Sequence, residues 1–234
     1  GRTLMTTDYA KTSLAPPIWV LAMAVSAANV GISLLSPAIP QLRDDLMVTS
    51  DEAQLVLSAF LIMLGFGQLI AGSLSDRIGR RPVLVYGSLL FVLSGFGALL
   101  ANSIEMLVFM RILQGLGAAA CMAMGRVIIS DSFQHAEAGR QMSTITMFQS
   151  VVPLLGFSFG GVLADLVGWR GSVGLMVVTA AIVFAGASML LAESRDPSIK
   201  PVPATRIIFV YWQLLVTPLF IANAMMAATV TAVY

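Results

Sequence analysis

What this chain lacks first is charge: Lys and Arg number 13, Asp and Glu 12, together 11% of its 234 residues. A soluble domain carries about 25% charged residues, so this chain cannot cover a water-facing surface. Cysteine and histidine occur once each, as Cys121 and His135. A lone cysteine excludes an intramolecular disulfide and a cysteine metal site. His135 stands in a polar stretch without neighbouring ligand residues, so neither a metal nor a cofactor is expected. No nucleotide-binding loop occurs. No acid, histidine and nucleophile converge in one segment either, which leaves an enzyme the least expected reading. What the chain has instead is hydrocarbon: 58% of its residues are hydrophobic and its mean hydropathy is +0.90. That composition describes an integral membrane protein whose first partner is the lipid bilayer, with no nucleic acid partner expected.

A helix needs about 20 apolar residues to cross roughly 30 Å of hydrocarbon. Uncharged runs of that kind fall at 12–42, 53–75, 82–104, 141–164, 171–192 and 207–234. One more span, near 105–128, is interrupted by Arg111 and Arg126. The spans are α-helical because backbone polar groups in lipid must be satisfied within the segment. The first run is too long for the core of a signal peptide and reads as an uncleaved span. The expected order is a cytoplasmic tail over 1–16, a six-helix bundle over 17–192, a polar linker over 193–210 and the start of a seventh helix over 211–234. Ser36-Pro-Ala-Ile-Pro40 should close the first span at the outer face, with an acidic outer loop over 41–52 and an inner loop over 129–142. The chain stops at Tyr234 inside an apolar stretch, which reads as an interruption. With the N-terminus inside, Arg2, Lys11, Arg77, Arg80, Arg81, Arg126, Arg140, Arg195, Lys200 and Arg206 fall on the cytoplasmic side, against Arg43 and Arg170 outside. The positive-inside rule therefore makes the N-terminus cytoplasmic and the protein a multi-pass inner or plasma membrane protein.

The densest polar stretch between spans is Gly72-Ser-Leu-Ser-Asp-Arg-Ile-Gly-Arg-Arg81, in the inner loop between the second and third. It has a partial copy at Gly161-Val-Leu-Ala-Asp-Leu-Val-Gly-Trp-Arg170, 89 residues later, and Gly67 with Gly156 extends the match upstream. The copies lie three helices apart and hence on opposite faces of the membrane. Helices 1–3 and 4–6 then form inverted repeats, an arrangement of secondary transporters. On a structural reading alone, Gly72–Arg81 is a positive-inside anchor with a tight turn. A more specific reading uses Gly72 for close helix approach and Asp76 as acceptor for an arginine or a helix N-terminus.

These residues carry a resemblance. Gly72–Arg81 resembles the Gly-x-Leu-Ala-Asp-Arg-x-Gly-Arg-Arg/Lys signature of the major facilitator superfamily, in its expected loop. Leu107-x-x-x-Arg111-x-x-Gln114-Gly115-x-Gly117-Ala-Ala119 resembles the superfamily's helix-4 motif. Pro153-x-x-Gly156-Phe157-x-x-Gly160-Gly161 resembles the antiporter motif of helix 5, with Phe157 where a proline normally follows the first glycine. The nearest branch is the twelve-helix drug:proton antiporters. The resemblance implies an all-α membrane fold: a six-helix N-terminal bundle of 3+3 inverted repeats plus part of helix 7. It also implies a conformational latch of Gly72, Asp76, Arg77, Gly79, Arg80 and Arg81. Asp131 would pair with Arg80 there, and a further partner on helix 11 would come from a missing C-terminal half, helices 7 to 12.

Arg111 lies deep in a span, where an arginine costs about 2.5–3.5 kcal/mol on insertion scales. Its six apolar neighbours return about 0.3–0.6 kcal/mol each and roughly offset that. Arg111 should therefore face the bundle or a water-filled cavity, or else snorkel outward or bond nearby carbonyls. The resemblance implies a part in proton or substrate coupling for Arg111, with Gln114 on the same helical face. Pro153, Gly156, Gly160 and Gly161 form a helix-packing surface on either reading. The first span holds no acid, so Asn29 and Ser33 are its polar cavity candidates, joined by Met122 and Asn223. Glu105 and Asp165 sit at outer helix ends. The fourteen methionines, among them Met124, Met147, Met225 and Met226, are packing or an adaptable binding surface. The expected function is proton-coupled efflux of drug-like or amphipathic small molecules by alternating access. Two alternatives stand: a facilitator for a polar metabolite or sugar, and a truncated, non-transporting membrane interaction protein.

Overall fold

The computed structural model describes residues 16–195. The seventh span, residues 1–15 and 196–210, and the candidates Asn223, Met225 and Met226 lie outside the described residues. Seven α-helices follow in order: α1 Ile18–Ser33, α2 Ile39–Leu46, α3 Ser50–Ile78, α4 Arg80–Leu99, α5 Ile104–Ser132, α6 His135–Val167 and α7 Trp169–Leu190. A single 3-10 turn, Ser36–Ala38, joins α1 to α2, so that Ile18–Leu46 forms one of six spans, among the described residues, long and apolar enough to cross a membrane. Spans two to six are α3 to α7.

Two expected loops are helical instead. The acidic outer loop over 41–52 shrinks to a turn at 47–49, because Pro40 sits at the start of α2, where its missing N–H is no loss, and Leu42 plugs the core fully buried. Met47 makes the turn with a left-handed backbone (φ 52°), and Thr49 with Glu52 forms a capping box that starts α3. The inner loop over 129–142 shrinks to Phe133 and Gln134. Glu137 there accepts from Gln141 and pairs with Arg140, the i,i+4 and i,i+3 contacts that hold a helix beyond the hydrocarbon.

The duplication read from the sequence recurs in the geometry. Gly79 and Gly168, 89 residues apart, end α3 and α6 with φ of 107° and 78°, and each donates its N–H to the residue four back, Ser75 or Ala164. Only glycine adopts such angles without strain. Arg81, at the start of α4, donates to the carbonyl of Ser188 at the end of α7. Arg170, at the start of α7, donates to the carbonyl of Leu99 at the end of α4. Both donors and both acceptors are 89 positions apart, so α4 and α7 run antiparallel and cap each other's C-termini, where unpaired carbonyls and the helix dipole favour a cation.

α5 is the central helix, packed on α1, α3 and α4, and with α1 it is the most buried of the spans. The core divides into one cluster around Leu21, Phe91, Met124 and Ile128 and a second around Leu35, Leu107, Trp169 and Met176. α3 and α6 bury only 22% and 17% of their spans and turn Ile62, Phe66, Leu154, Phe159 and Leu166 outward. Apolar faces of that kind suit lipid or another helical layer.

Candidate functional site

At the turn between α3 and α4 the motif closes into a ring around Arg80. Its Nη1 donates to Asp76 Oδ1 and, at 2.8 Å, to Ser75 Oγ, while Nε donates to Asp131 Oδ2 at 3.2 Å. The two carboxylates lie on α3 and α5, so one guanidinium at the head of α4 ties three spans together. Such a pairing uses the planar fork of arginine. Gly79 brings the chain round tightly enough to put Arg80 within reach of both. Glu193 completes the ring: its carboxylate accepts the backbone N–H of Arg80 at 2.8 Å and of Arg81 at 3.3 Å, capping the N-terminus of α4. Arg195 then donates to the carbonyl of Arg77 at 2.7 Å. The sequence reading left Glu193 at the end of a span; its only signal was an acid directly after the sixth apolar run. A side chain added at Gly72 would meet nothing within 4 Å among the described residues, and Asp76 keeps 39% of its side chain exposed. This side of the motif is open.

The copy at 161–170 is built differently. Asp45 on α2 accepts from Trp169 Nε1 and from Arg170 Nη1, both at 2.8 Å, and the Arg170 guanidinium lies 4.3 Å from the Trp169 ring centre. Arg170 Nη2 also donates to the carbonyl of Ala101 at 2.9 Å. Asp165, the counterpart of Asp76, accepts from Gln41 at 3.2 Å rather than from an arginine. Glu105, the other acid at an outer helix end, is exposed.

Arg111 is fully buried. Its Nη2 donates to the carbonyl of Gly31 at 2.8 Å, Nε to that of Val56 at 3.3 Å, and Nη1 to Gln114 Oε1 at 2.9 Å and Met176 Sδ at 3.7 Å. Phe60 stacks beneath it at 4.2 Å. The side chain thus bonds carbonyls of α1 and α3 and touches α7, with its hydrogen-bonding capacity spent inside the bundle. Gln114 keeps its Nε2 buried without an acceptor among the described residues.

Pro153 explains a second polar cluster. Proline has no N–H, so the carbonyl of Gln149, four residues earlier on α6, loses its helical donor. Asn29 Nδ2 supplies one, at 3.0 Å. Gln149 Oε1 accepts from Arg126 Nη2 at 3.3 Å, so Asn29, Gln149 and Arg126 meet across α1, α6 and α5. Arg126 was assigned from the sequence to the cytoplasmic edge. It lies six residues before the end of α5, about 9 Å along the axis, and it is half-buried. Ser33, read as a cavity residue, is instead buried: it donates to the carbonyl of Asn29 at 2.7 Å. A side chain at Gly156 would collide with it, and one at Gly160 would meet Leu34, so these two glycines let α6 settle on α1. Gly161 faces almost open space. Met122 is half-buried and Met124 fully buried. Trp19, Met23, Met147, Phe148 and Val151 line an open apolar groove of about 580 Å³ between α1 and α6.

The family model of the Major Facilitator Superfamily matches residues 21–234. The chain is 32% identical over 217 residues to a chloramphenicol resistance protein of Pseudomonas aeruginosa, covering 90% of this chain and 49% of that protein. It is 30% identical over 188 residues to multidrug resistance protein D of Escherichia coli, covering 80% of this chain and 46% of that one. A crystal structure of a peptide transporter in complex with alafosfalin shares the fold: its TM-score is 0.69 at 15% identity, over 92% of this chain and 46% of that one. The chain spans about half the length of the curated relatives it matches.

Proposed function

Because the chain belongs to the major facilitator superfamily, we propose that the protein is a secondary active transporter exporting drug-like, amphipathic molecules by alternating access. The observation that carries this reading is the match, over most of the chain, to relatives named for chloramphenicol and multidrug resistance. The energy source is a proton gradient, and the protein lies in the cytoplasmic membrane with its N-terminus inside. Residues 17–192 form one of two six-helix halves, joined by the linker at 193–210 to a second half that begins near 211.

In this mechanism the inner ring is the latch. Arg80 holds Asp76 and Asp131 in fixed positions, and Gly72 with Asp76 offers an open, small-residue and acidic face to a helix of the other half. When the halves rock, that face docks or separates, while the ring keeps α3, α4 and α5 moving as a body. Arg111 and Gln114 act in coupling by position: they join α1, α3 and α7 to α5, so that a displacement on one is felt by the rest. Among the described residues no Asp or Glu is buried, and the proton-carrying acid is expected outside residues 16–195.

The experiment is proton-driven efflux by the full-length protein in everted vesicles. Efflux should collapse with a protonophore, and Asp76→Asn, which keeps shape but removes the charge facing a docked helix, should slow it by about tenfold. Efflux that continues undiminished without a proton gradient would end the proton-coupled reading. Wild-type rates in Asp76→Asn would end the latch.

A further inference from the structure

Two arginines lie within the membrane-spanning part of α5, and their surroundings are opposite. Arg111 has no exposed surface and spends its donors on two carbonyls, Gln114 and Met176. Arg126 is half-buried, and among the described residues its one hydrogen bond is the 3.3 Å bond from Nη2 to Gln149 Oε1. A guanidinium carries five N–H donors, so four remain unspent. No carboxylate of the described residues lies within ion-pair distance of it, although the same protein pairs Arg80 with two. A cation left in that condition inside a membrane helix marks a functional site by default.

The local sequence puts it there. A side chain at Gly125 would lie 2.6 Å from Val25 Cγ2 and 3.2 Å from the Leu21 carbonyl, so glycine alone lets α5 close on α1. Arg126, one position on and about 100° round the helix, then emerges beside α6. There Pro153 frees the Gln149 carbonyl, Asn29 fastens it, and the Gln149 side chain is held against Arg126. Gln149 Nε2 adds two further N–H donors with no acceptor among the described residues. The cluster is therefore rich in donors and poor in acceptors, with Asn29 Oδ1 the uncommitted oxygen. The apolar groove lined by Trp19, Met23, Met147 and Phe148 runs along the same two helices.

We propose that Arg126, with Gln149 and the Asn29 that anchors its backbone, recognises the anionic group of a transported amphipathic molecule, a carboxylate or a group of equal charge and oxygen geometry. This deepens the transporter reading and rests on it. The guanidinium and the Gln149 amide supply the charge-assisted hydrogen bonds, and the apolar side chains of α1 and α6 take the apolar body. Arg111 holds the frame and does not touch the ligand.

The test uses the purified full-length protein and two probes of one skeleton, dansyl-undecanoate and its methyl ester. Binding is followed by dansyl fluorescence, with thermal unfolding as a control for folding. The wild type should bind the carboxylate at least about tenfold more tightly than the ester, the scale of a charge-assisted bond. Arg126→Gln should abolish that preference, weakening carboxylate binding at least about tenfold more than ester binding, and Arg126→Lys, which keeps the charge but loses the fork, should retain part of it. Equal binding of the two probes by the wild type overturns the proposal. So does an Arg126→Gln protein that keeps the preference, or one that loses both probes at unchanged unfolding temperature. If Arg126→Gln does not fold, Arg126→Lys decides: retained preference supports the site and its loss overturns it. Uptake of the same probes into proteoliposomes separates the two readings. Arg126-dependent binding without transport sinks the transporter reading and leaves the site standing. Transport with no Arg126-dependent preference sinks the site alone.

Discussion

Asn29 and Pro153 should be energetically coupled although their side chains do different things. Pro153 removes the N–H that would bond the Gln149 carbonyl, and Asn29 Nδ2 replaces it at 3.0 Å. Asn29→Ala leaves that carbonyl without a donor in a part-buried position. Side-chain hydrogen bonds in membrane proteins average about 0.6 kcal/mol and reach about 1.7, and an abandoned buried acceptor costs about 1–3 kcal/mol. A loss of about 1 kcal/mol is therefore expected from Asn29→Ala alone. In a Pro153→Ala background the backbone N–H of residue 153 returns and takes the carbonyl back, so Asn29→Ala should cost under about 0.3 kcal/mol of hydrogen bonding. The packing lost with the smaller side chain is common to both backgrounds and cancels in the cycle. Reversible unfolding of the full-length protein in mixed detergent micelles, followed by tryptophan fluorescence, measures all four corners. If Asn29→Ala costs the same with and without Pro153, the carbonyl is not what links the two residues, and the account of this cluster fails.

Gly79→Ala should destabilise more than Gly168→Ala in the same assay. Both need a backbone that only glycine adopts readily, worth about 1–3 kcal/mol, but a methyl at 79 also meets the Glu193 carboxylate while one at 168 meets nothing within 4 Å. Arg111→Lys should cost at least about 2 kcal/mol, because one ammonium cannot serve Gly31, Val56, Gln114 and Met176 together; an unfolding midpoint equal to the wild type's would refute it. Arg170→Ala should cost about 1 kcal/mol, since it bares the Leu99 and Ala101 carbonyls and releases a half-exposed Asp45. Arg170→Lys should recover less than half of that, read as the shift in unfolding midpoint.

The inner ring shows where reading the sequence and seeing the structure part company. Asp76, Arg80 and Asp131 were legible because a charge cluster between apolar runs has few places to go, and the resemblance supplied the partner. Glu193 was not, since it joins the ring from 113 residues away through backbone N–H groups that no side-chain pattern reveals. The two loops were misread because α2 and the first turns of α6 are polar helices; their helicity comes from capping, i,i+4 pairs and a single buried leucine, which hydropathy does not register. Ser33 was read toward a cavity from its polarity, but the glycine at 156 gave its hydroxyl a buried place. Arg126 was counted as a boundary charge. Only the meeting of a glycine at 125 with α1, and of a proline-freed carbonyl with Asn29, brings it inside beside Gln149.

By itself the sequence determined that this is a helical membrane protein, how many of its spans fall in 16–195, that its basic loops gather on one face, and that one unit is duplicated with inversion. Those follow from hydrocarbon thickness, backbone hydrogen bonding and charge asymmetry, all of which act along the chain. The tertiary structure alone decided which polar groups are spent and which are free. Arg111 and Arg126 are the same residue type on one helix, fifteen positions apart. The first is consumed by carbonyls of neighbouring spans and the second is left, among the described residues, with open donors, because hydrogen-bond satisfaction is set by the helices that arrive alongside.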